Sequence, residues 1–177
     1  MEVIKKNILI TGVTGFIGSY LYQNLIKDPK VKVWHLRSKR NKATYEGNYI
    51  DIDDFKSDFD IIKELKNIDC IIHLAALAHS NHNKDLINDV NINFSINLAK
   101  QAAQSNVEKF IFLSSIKVYG ETSEKNIIYN EESDTFPKTA YARAKLNAEN
   151  LLIKLSKESN LKVIIIRSPL VYGKNPK

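Results

Sequence analysis

Short apolar runs alternate along this chain with segments whose apolar residues recur every three or four positions. The runs fall at residues 7–11, 31–36, 49–52, 69–74, 109–114 and 162–167 and are rich in β-branched side chains. Helical spacing joins Ile17, Leu21 and Leu25, then Leu86, Val90, Phe94, Leu98 and Ala102, then Ala144, Ala148, Leu151, Leu152 and Leu155. The runs predict strands, and the three stripes predict helices that each bury one face. Strands apolar on both faces and joined by crossover helices predict a parallel sheet covered on both sides, with ligands at its carboxyl edge. Six strands complete the order 3-2-1-4-5-6, a doubly wound α/β fold of three layers. The polar, aperiodic stretch 121–138 ends in Phe136-Pro137 and predicts a long loop, the kind of segment that often serves function in a compact domain.

The 177 residues contain no internal repeat, low-complexity tract or linker, so a single domain over 1–177 is expected. An apolar content of 44% with 26% charged residues fits an ordinary globule. No run approaches the roughly 20 apolar residues that cross a bilayer, and no signal-peptide pattern precedes the first strand. A cytoplasmic protein that does not enter a membrane is expected. Cys70 is the single cysteine and sits in an apolar run, which predicts a buried small side chain and excludes a disulfide or zinc framework. The net charge of +6 comes from lysines spread along the chain, often beside carboxylates, as in Lys63-Glu64 and Lys154 with Glu158. Without a basic stripe or aromatic platform, that charge predicts a solvated surface, and nucleic acid is not an expected partner.

Residues 8–18 read Ile-Leu-Ile-Thr-Gly-Val-Thr-Gly-Phe-Ile-Gly, a strand, a glycine-punctuated turn and the start of a helix. Gly12 permits a tight turn, Gly15 lets backbone N–H groups approach a pyrophosphate, and Gly18 lets the helix pack close to the strand. The helix N-terminus then offers N–H groups and a partial positive charge to phosphates. The spacing G-x-x-G-x-x-G is a weaker signal than G-x-G-x-x-G, but its strand-to-helix setting is the one a dinucleotide site requires. A P-loop is excluded, because no Gly-Lys-Ser/Thr closes the segment.

The fifth strand ends in Ser114-Ser115, which places two hydroxyls at the carboxyl edge. Downstream, Tyr141 and Lys145 stand four residues apart on a helix and so share a face. A neighbouring ammonium should favour the phenolate of Tyr141 and draw it towards a useful acid–base range. Eight tyrosines and 22 lysines in 177 residues would produce about one such pair by chance, so the weight rests on the ordered conjunction of glycine turn, serines and Tyr-Lys helix. The second strand runs into Arg37-Ser38-Lys39-Arg40 where an NAD site commonly presents an acid. Arg37, Ser38, Lys39 and Arg40 could instead hold a 2′-phosphate, which predicts NADP over NAD. His79 and His82 beyond Ala76 are read as loop residues, with no further ligands to make a metal site.

Taken together, His73-Leu74-Ala75-Ala76, Val90-Asn91-Ile92-Asn93, Ser114 to Gly120, Tyr141 to Lys145 and Arg167-Ser168-Pro169-Leu170-Val171-Tyr172-Gly173 complete a pattern that begins at Thr11-Gly12. Over residues 7–173 the chain resembles the extended short-chain dehydrogenases/reductases, the NAD(P)-dependent nucleotide-sugar epimerases, dehydratases and reductases with a Rossmann-type domain. It is most similar to the branch of UDP-hexose and UDP-N-acetylhexosamine 4-epimerases and 4-reductases of surface-polysaccharide synthesis. The resemblance implies that Tyr141 is the catalytic base and acid, Lys145 its electrostatic partner and a ribose ligand, and Ser115 the hydroxyl that binds the sugar oxygen. It implies cofactor contacts from Gly12, Thr14, Gly15, Phe16, Ile17 and Gly18, from Asp51 and Ile52 around the adenine, from Leu74, Ala75 and Ala76, and from Pro169, with Asn91 supporting the loop after the fourth strand. Phe94 departs from the family, which usually has glycine there. Tyr119 and Tyr172 are read as packing residues.

In the resembling enzymes a smaller carboxyl-terminal domain supplies most contacts to the nucleotide-sugar, and this sequence stops just after the sixth strand. The expectation is the cofactor-binding portion of a 4-epimerase or 4-reductase with a UDP-linked substrate, self-associating or paired with a partner chain. The alternative is a catalytically silent dinucleotide-binding module acting as a sensor or partner subunit.

Overall fold

A computed structural model describes residues 5–39, 45, 47–55, 58–78, 83–121 and 128–173. Six strands, β1 (Lys6–Thr11), β2 (Val31–Ser38), β3 (Asn48–Ile52), β4 (Cys70–His73), β5 (Lys109–Ser115) and β6 (Lys162–Ser168), form one sheet. All pair in parallel, in the order β3-β2-β1-β4-β5-β6. Each expected strand is present, displaced at its ends by at most two residues. The reversal of strand order between β1 and β4 leaves a crevice at the carboxyl edge, the topological switch point where ligands bind in such sheets.

Helix α1 (Phe16–Leu25) covers one face over β1 and β2, where Ile10, Val13, Tyr22 and Val33 form a small core. The other face carries the larger core. There α2 (Ile62–Leu65), a long helix over 84–104 and α5 (Ala140–Lys157) pack on Leu9, Leu36, Ile71, Phe110 and Phe112. Beyond α1 the first face is thinly covered: Ile164 and Ile166 on β6 remain 43% and 46% exposed. Such residues ordinarily bury about 1.5–3 kcal/mol of transfer free energy each.

The long helix is built in three parts: α3 (Lys84–Asn88), a π-helical stretch over Asp89–Phe94, and α4 (Ser95–Gln104). Its stripe at 86, 90, 94, 98 and 102 repeats every four residues, which runs ahead of a 3.6-residue period. A wider π turn absorbs the excess. Val90, Phe94, Leu98 and Ala102 are accordingly all buried, and Phe94 fills the space that a glycine would leave. Its ring meets those of Phe55, Phe59 and His73 at centroid distances of 5.4, 5.1 and 5.5 Å.

Four expectations change at the level of single side chains. Leu86 and Leu151 lie on the solvent side of their helices at 37% and 43% exposure, and Ile87 takes the core place beside Leu86. Tyr172 is 88% exposed and packs little, whereas Tyr119 is buried as expected. Cys70 is half-buried, and burial pushes its thiol upward, away from nucleophilic use. Among the described residues no helix is long and apolar enough to cross a membrane, and no cluster of three metal-binding side chains occurs.

Candidate active site

The turn between β1 and α1 is set by backbone contacts. Gly12 adopts φ +75°, and a Cβ there would lie 2.7 Å from the Ala75 nitrogen. At Gly18 a Cβ would stand 2.1 Å from the Gly12 carbonyl oxygen, so only glycine lets α1 seat on the turn. Gly15 caps α1 without a side-chain bond, and no acidic residue occupies the first turn. The positive end of the helix dipole therefore opens, unneutralised, onto the crevice at Phe16, Ile17 and Gly18.

A closed relay of neutral groups fixes the opposite wall. The Thr11 hydroxyl accepts from the Leu74 and Ala75 N–H groups at 3.2 and 3.1 Å and meets His73 Nδ1 at 2.7 Å. His73 Nε2 lies 2.8 Å from the Ser95 hydroxyl, which donates to the Asn91 carbonyl at 3.0 Å. Thr11 has only its proton left to give, so Nδ1 accepts and Nε2 carries the hydrogen. Burial, then the nearby Lys145 charge, pushes His73 down to about 3, consistent with a neutral ring. Asn91 grips Leu77 twice, accepting from its N–H at 2.8 Å and donating to its carbonyl at 3.0 Å. It thus supports the loop after β4, which carries Leu74, Ala75 and Ala76.

At the carboxyl ends of β2 and β3, Arg37 donates to Asp51 from Nε at 2.7 Å and from Nη2 at 3.0 Å, and its guanidinium stacks 3.7 Å from the Tyr49 ring centre. Arg37 holds the Asp51 carboxyl below its ordinary range. The two residues read in the sequence as separate cofactor contacts are therefore partners of each other. Ser38 is turned inward, donating to the Asp53 carbonyl at 3.0 Å. Ile52 buries its side chain, and its carbonyl accepts from the Lys39 N–H. Arg40, His79 and His82 lie outside the described residues.

Ser114 and Ser115 alternate as a strand requires. Ser114 points inward to Glu149, whereas Ser115 starts a 3-10 turn (Ile116–Tyr119), accepting from the Lys117 N–H at 3.3 Å. Tyr141 stands in the first turn of α5 behind a Thr139 cap, close enough to Ser115 for that hydroxyl to favour its phenolate. Pro169 is exposed just past β6 at the same edge. The expected effect of Lys145 on Tyr141 does not hold. Burial pushes the Tyr141 phenol up, and Ser115 alone opposes it. The reason is geometric: the Lys145 ammonium donates to the Leu113 carbonyl at 2.8 Å, rests 4.4 Å from the Phe112 ring centre and stays 6.0 Å from that of Tyr141. Burial lowers Lys145 to about 7, with Glu149 opposing.

Sequence reasoning missed a second network beside this site. Glu149, fully buried, is gripped by Arg167 through Nη2 at 2.7 Å and Nε at 3.1 Å. Arg167 Nη1 donates to the Tyr119 hydroxyl at 2.7 Å, which donates to the Asn130 carbonyl at 2.7 Å. Tyr141, Lys145 and Glu149 share a four-residue spacing, the one signal in the chain that placed Glu149 on the same helix face.

Glycine turn, helix end, serine and Tyr-Lys helix converge on one edge of a doubly wound sheet, the architecture of a dinucleotide-dependent enzyme domain. The chain belongs to the NAD dependent epimerase/dehydratase family, whose model matches residues 8–177. It is 37% identical to a UDP-glucose 4-epimerase from Vibrio cholerae over 174 residues, 95% of this chain and 52% of that protein. Two solved Bacillus cereus structures are similar. UDP-glucuronic acid 4-epimerase in complex with NAD has TM-score 0.79 and 28% identity, over 94% of this chain and 57% of that one. UDP-N-acetylglucosamine 4-epimerase has TM-score 0.82 and 25% identity, over 98% and 56%. The chain thus spans about half the length of the relatives it matches.

Proposed function

We propose that this chain is the dinucleotide-binding portion of a nucleotide-sugar 4-epimerase or 4-reductase acting on a UDP-linked hexose or N-acetylhexosamine. The observation that carries the reading is the meeting of Ser115, Tyr141 and Lys145 with the glycine turn at the switch point of the sheet. The residues fit a dinucleotide: glycine at 12 and 18 lets the turn close on Ala75 and α1 seat on the turn, so the end of α1 presents uncompensated positive potential to a pyrophosphate. A bound dinucleotide supplies a hydride acceptor and donor. Tyr141 would act on the sugar oxygen as an acid in the reducing direction and, as phenolate, as a base in the oxidising one; Ser115 would hold the same oxygen and the Lys145 ammonium would bind the ribose. Tyr141 rests protonated, so it starts as the donor, the state that a reduction needs first. As the chain spans about half the length of its relatives, the remaining contacts to the nucleotide-sugar are assigned to sequence outside these 177 residues, in the same polypeptide or in a partner chain.

Between the two dinucleotides the geometry favours NAD. The fork of Arg37 is committed to Asp51, Ser38 faces inward, and a 2′-phosphate would have to displace a carboxylate of its own sign. The preference for NADP read from the basic run thereby loses Arg37 and Ser38, while Lys39 keeps an exposed pair with Asp53.

Calorimetric titration of the 177-residue protein with both dinucleotides, combined with a hydride-transfer assay on UDP-sugars and a solution mass, tests the proposal. Binding of NAD tighter than NADP, little turnover and self-association through the exposed β6 side are the expected results. Absence of dinucleotide binding would overturn the reading, and robust turnover by a monomer would overturn the division of labour with outside sequence.

A further inference from the structure

Lys145 occupies an unusual place for a cation that is to meet a ribose: only 1% of it is exposed, and a single hydrogen bond, to the Leu113 carbonyl, is recorded for its ammonium. A buried ammonium without a counter-charge gives up its proton. The groups around it can be taken element by element. From β5 come the Leu113 carbonyl and the face of Phe112. From β4 comes His73, which is neutral. On α5 itself Tyr141 lies one turn before and Glu149 one turn after. From β6 comes Arg167, paired with Glu149. Glu149 is the one anion of the set; it stands one turn from Lys145 on α5 and is ion-paired with Arg167.

We propose that Glu149 is a positioning residue for the dinucleotide site: held by Arg167 and Ser114, it is the buried counter-charge that keeps Lys145 an ammonium. Two observations make the carboxylate suited to this. It is completely buried yet cannot drift, since Arg167 holds both of its oxygens and Ser114 donates to one of them. The same guanidinium is tied through Tyr119 to Asn130, and it donates to the Glu131 carbonyl at 3.3 Å, so the counter-charge is anchored to the loop that separates Ser115 from Tyr141. The direction of the effect on Lys145 agrees, because Glu149 acts against the burial that lowers it. Binding of a ribose by Lys145 belongs to the function proposed above, and the inference rests on it.

The test follows the Lys145 ammonium by NMR of lysine-labelled protein across pH 5 to 10, and in parallel the NAD affinity over the same range. Wild type should titrate near 7. Glu149→Gln should move the titration down by about one unit or more, weakening NAD about tenfold at pH 7.5. Glu149→Asp should restore most of both. Arg167→Gln, which leaves Lys145 as the sole cation facing the carboxylate, should move the titration up. That opposite sign keeps the proposal decidable if Glu149→Gln does not fold. A Glu149→Gln titration that superimposes on wild type, or a null or downward shift in Arg167→Gln, overturns the inference. Failure of the functional reading has a different signature: Lys145→Met would bind NAD as wild type does, while the titration shifts stand unchanged.

Discussion

The two halves of the crevice solve different physical problems. Around β1 and β4 the polar groups are neutral and saturated: Thr11, His73, Ser95 and Asn91 form a chain in which each donor finds an acceptor. Around β5, α5 and β6 the Ser114 and Ser115 hydroxyls are joined by charged and titratable groups, with Lys145, Glu149 and Arg167 buried or half-buried beside Tyr141. A wall that only has to hold a rigid ligand is served by backbone and hydroxyl groups that never change protonation. Under the proposed function the second wall moves a proton, which needs groups whose charge is adjustable, and burial is what adjusts it. The contrast extends to packing. The first half is closed beneath α1, whereas the second ends in Ile164 and Ile166, open to solvent.

The contrast is broken most directly at Tyr141. In a form of the protein that turns substrate over, Tyr141→Phe should lower turnover by about 10²–10⁴-fold and leave dinucleotide affinity nearly unchanged. Lys145→Met should weaken both. Steady-state kinetics beside calorimetry separate the two; a Phe variant retaining more than about a tenth of the rate places the base elsewhere.

On the neutral side the largest effect belongs to Gly18. A Cβ 2.1 Å from the Gly12 carbonyl oxygen meets backbone that cannot yield without moving the turn. Gly18→Ala should cost about 3 kcal/mol by denaturant unfolding, the upper end for overpacking, and should abolish measurable dinucleotide binding. A variant of wild-type stability would mean that α1 is free to shift on the sheet.

His73 sharpens the same comparison through pH. Its folded value of about 3 lies below the unfolded value near 6.5, so the unfolded chain binds the extra proton first as pH falls. Stability from the neutral ring is complete above about 6.5 and is lost as pH drops towards 3. Between pH 6.5 and 5, before most carboxylates titrate, wild type should lose up to about 2 kcal/mol. His73→Gln should start less stable and show a flatter slope. Equal slopes would show that another group carries the acid sensitivity.

The sheet, its strand order and the positions of Ser115, Tyr141 and Lys145 were legible in the sequence because each depends on local periodicity or on spacing within one element. What was not legible depends on pairs distant in the chain. Arg37 and Asp51 looked like two ligands for a cofactor; register places them opposite each other on β2 and β3, where like-facing opposite charges bind. The charge on Tyr141 was misjudged for the same reason: helical spacing brings Lys145 near, but the direction of the ammonium is decided by the Leu113 carbonyl, 32 residues away. Phe94 stands where the resemblance implied a glycine. The π turn that accommodates it leaves only a four-residue repeat as its trace.

The smallest effect, and the one that tests how far the register argument reaches, concerns Asp51. The Arg37 fork is half-buried and doubly bonded, and Tyr49 holds its plane. Asp51→Asn removes the negative charge and leaves the planar acceptor, so Arg37 keeps its place but can turn its fork to a 2′-phosphate without leaving an unpaired carboxylate. Because the pair is partly exposed and screened, its release is worth little in folding, and the melting temperature should barely move. Selectivity should move more, since the carboxylate opposes the phosphate directly: the ratio of NADP to NAD affinity is expected to rise by roughly twofold to tenfold, and most at low salt. Arg37→Ala in the same background should cancel the gain. If Asp51→Asn leaves the ratio unchanged at low salt, the pair does not set the choice of dinucleotide, and discrimination must come from residues farther along the turn after β2.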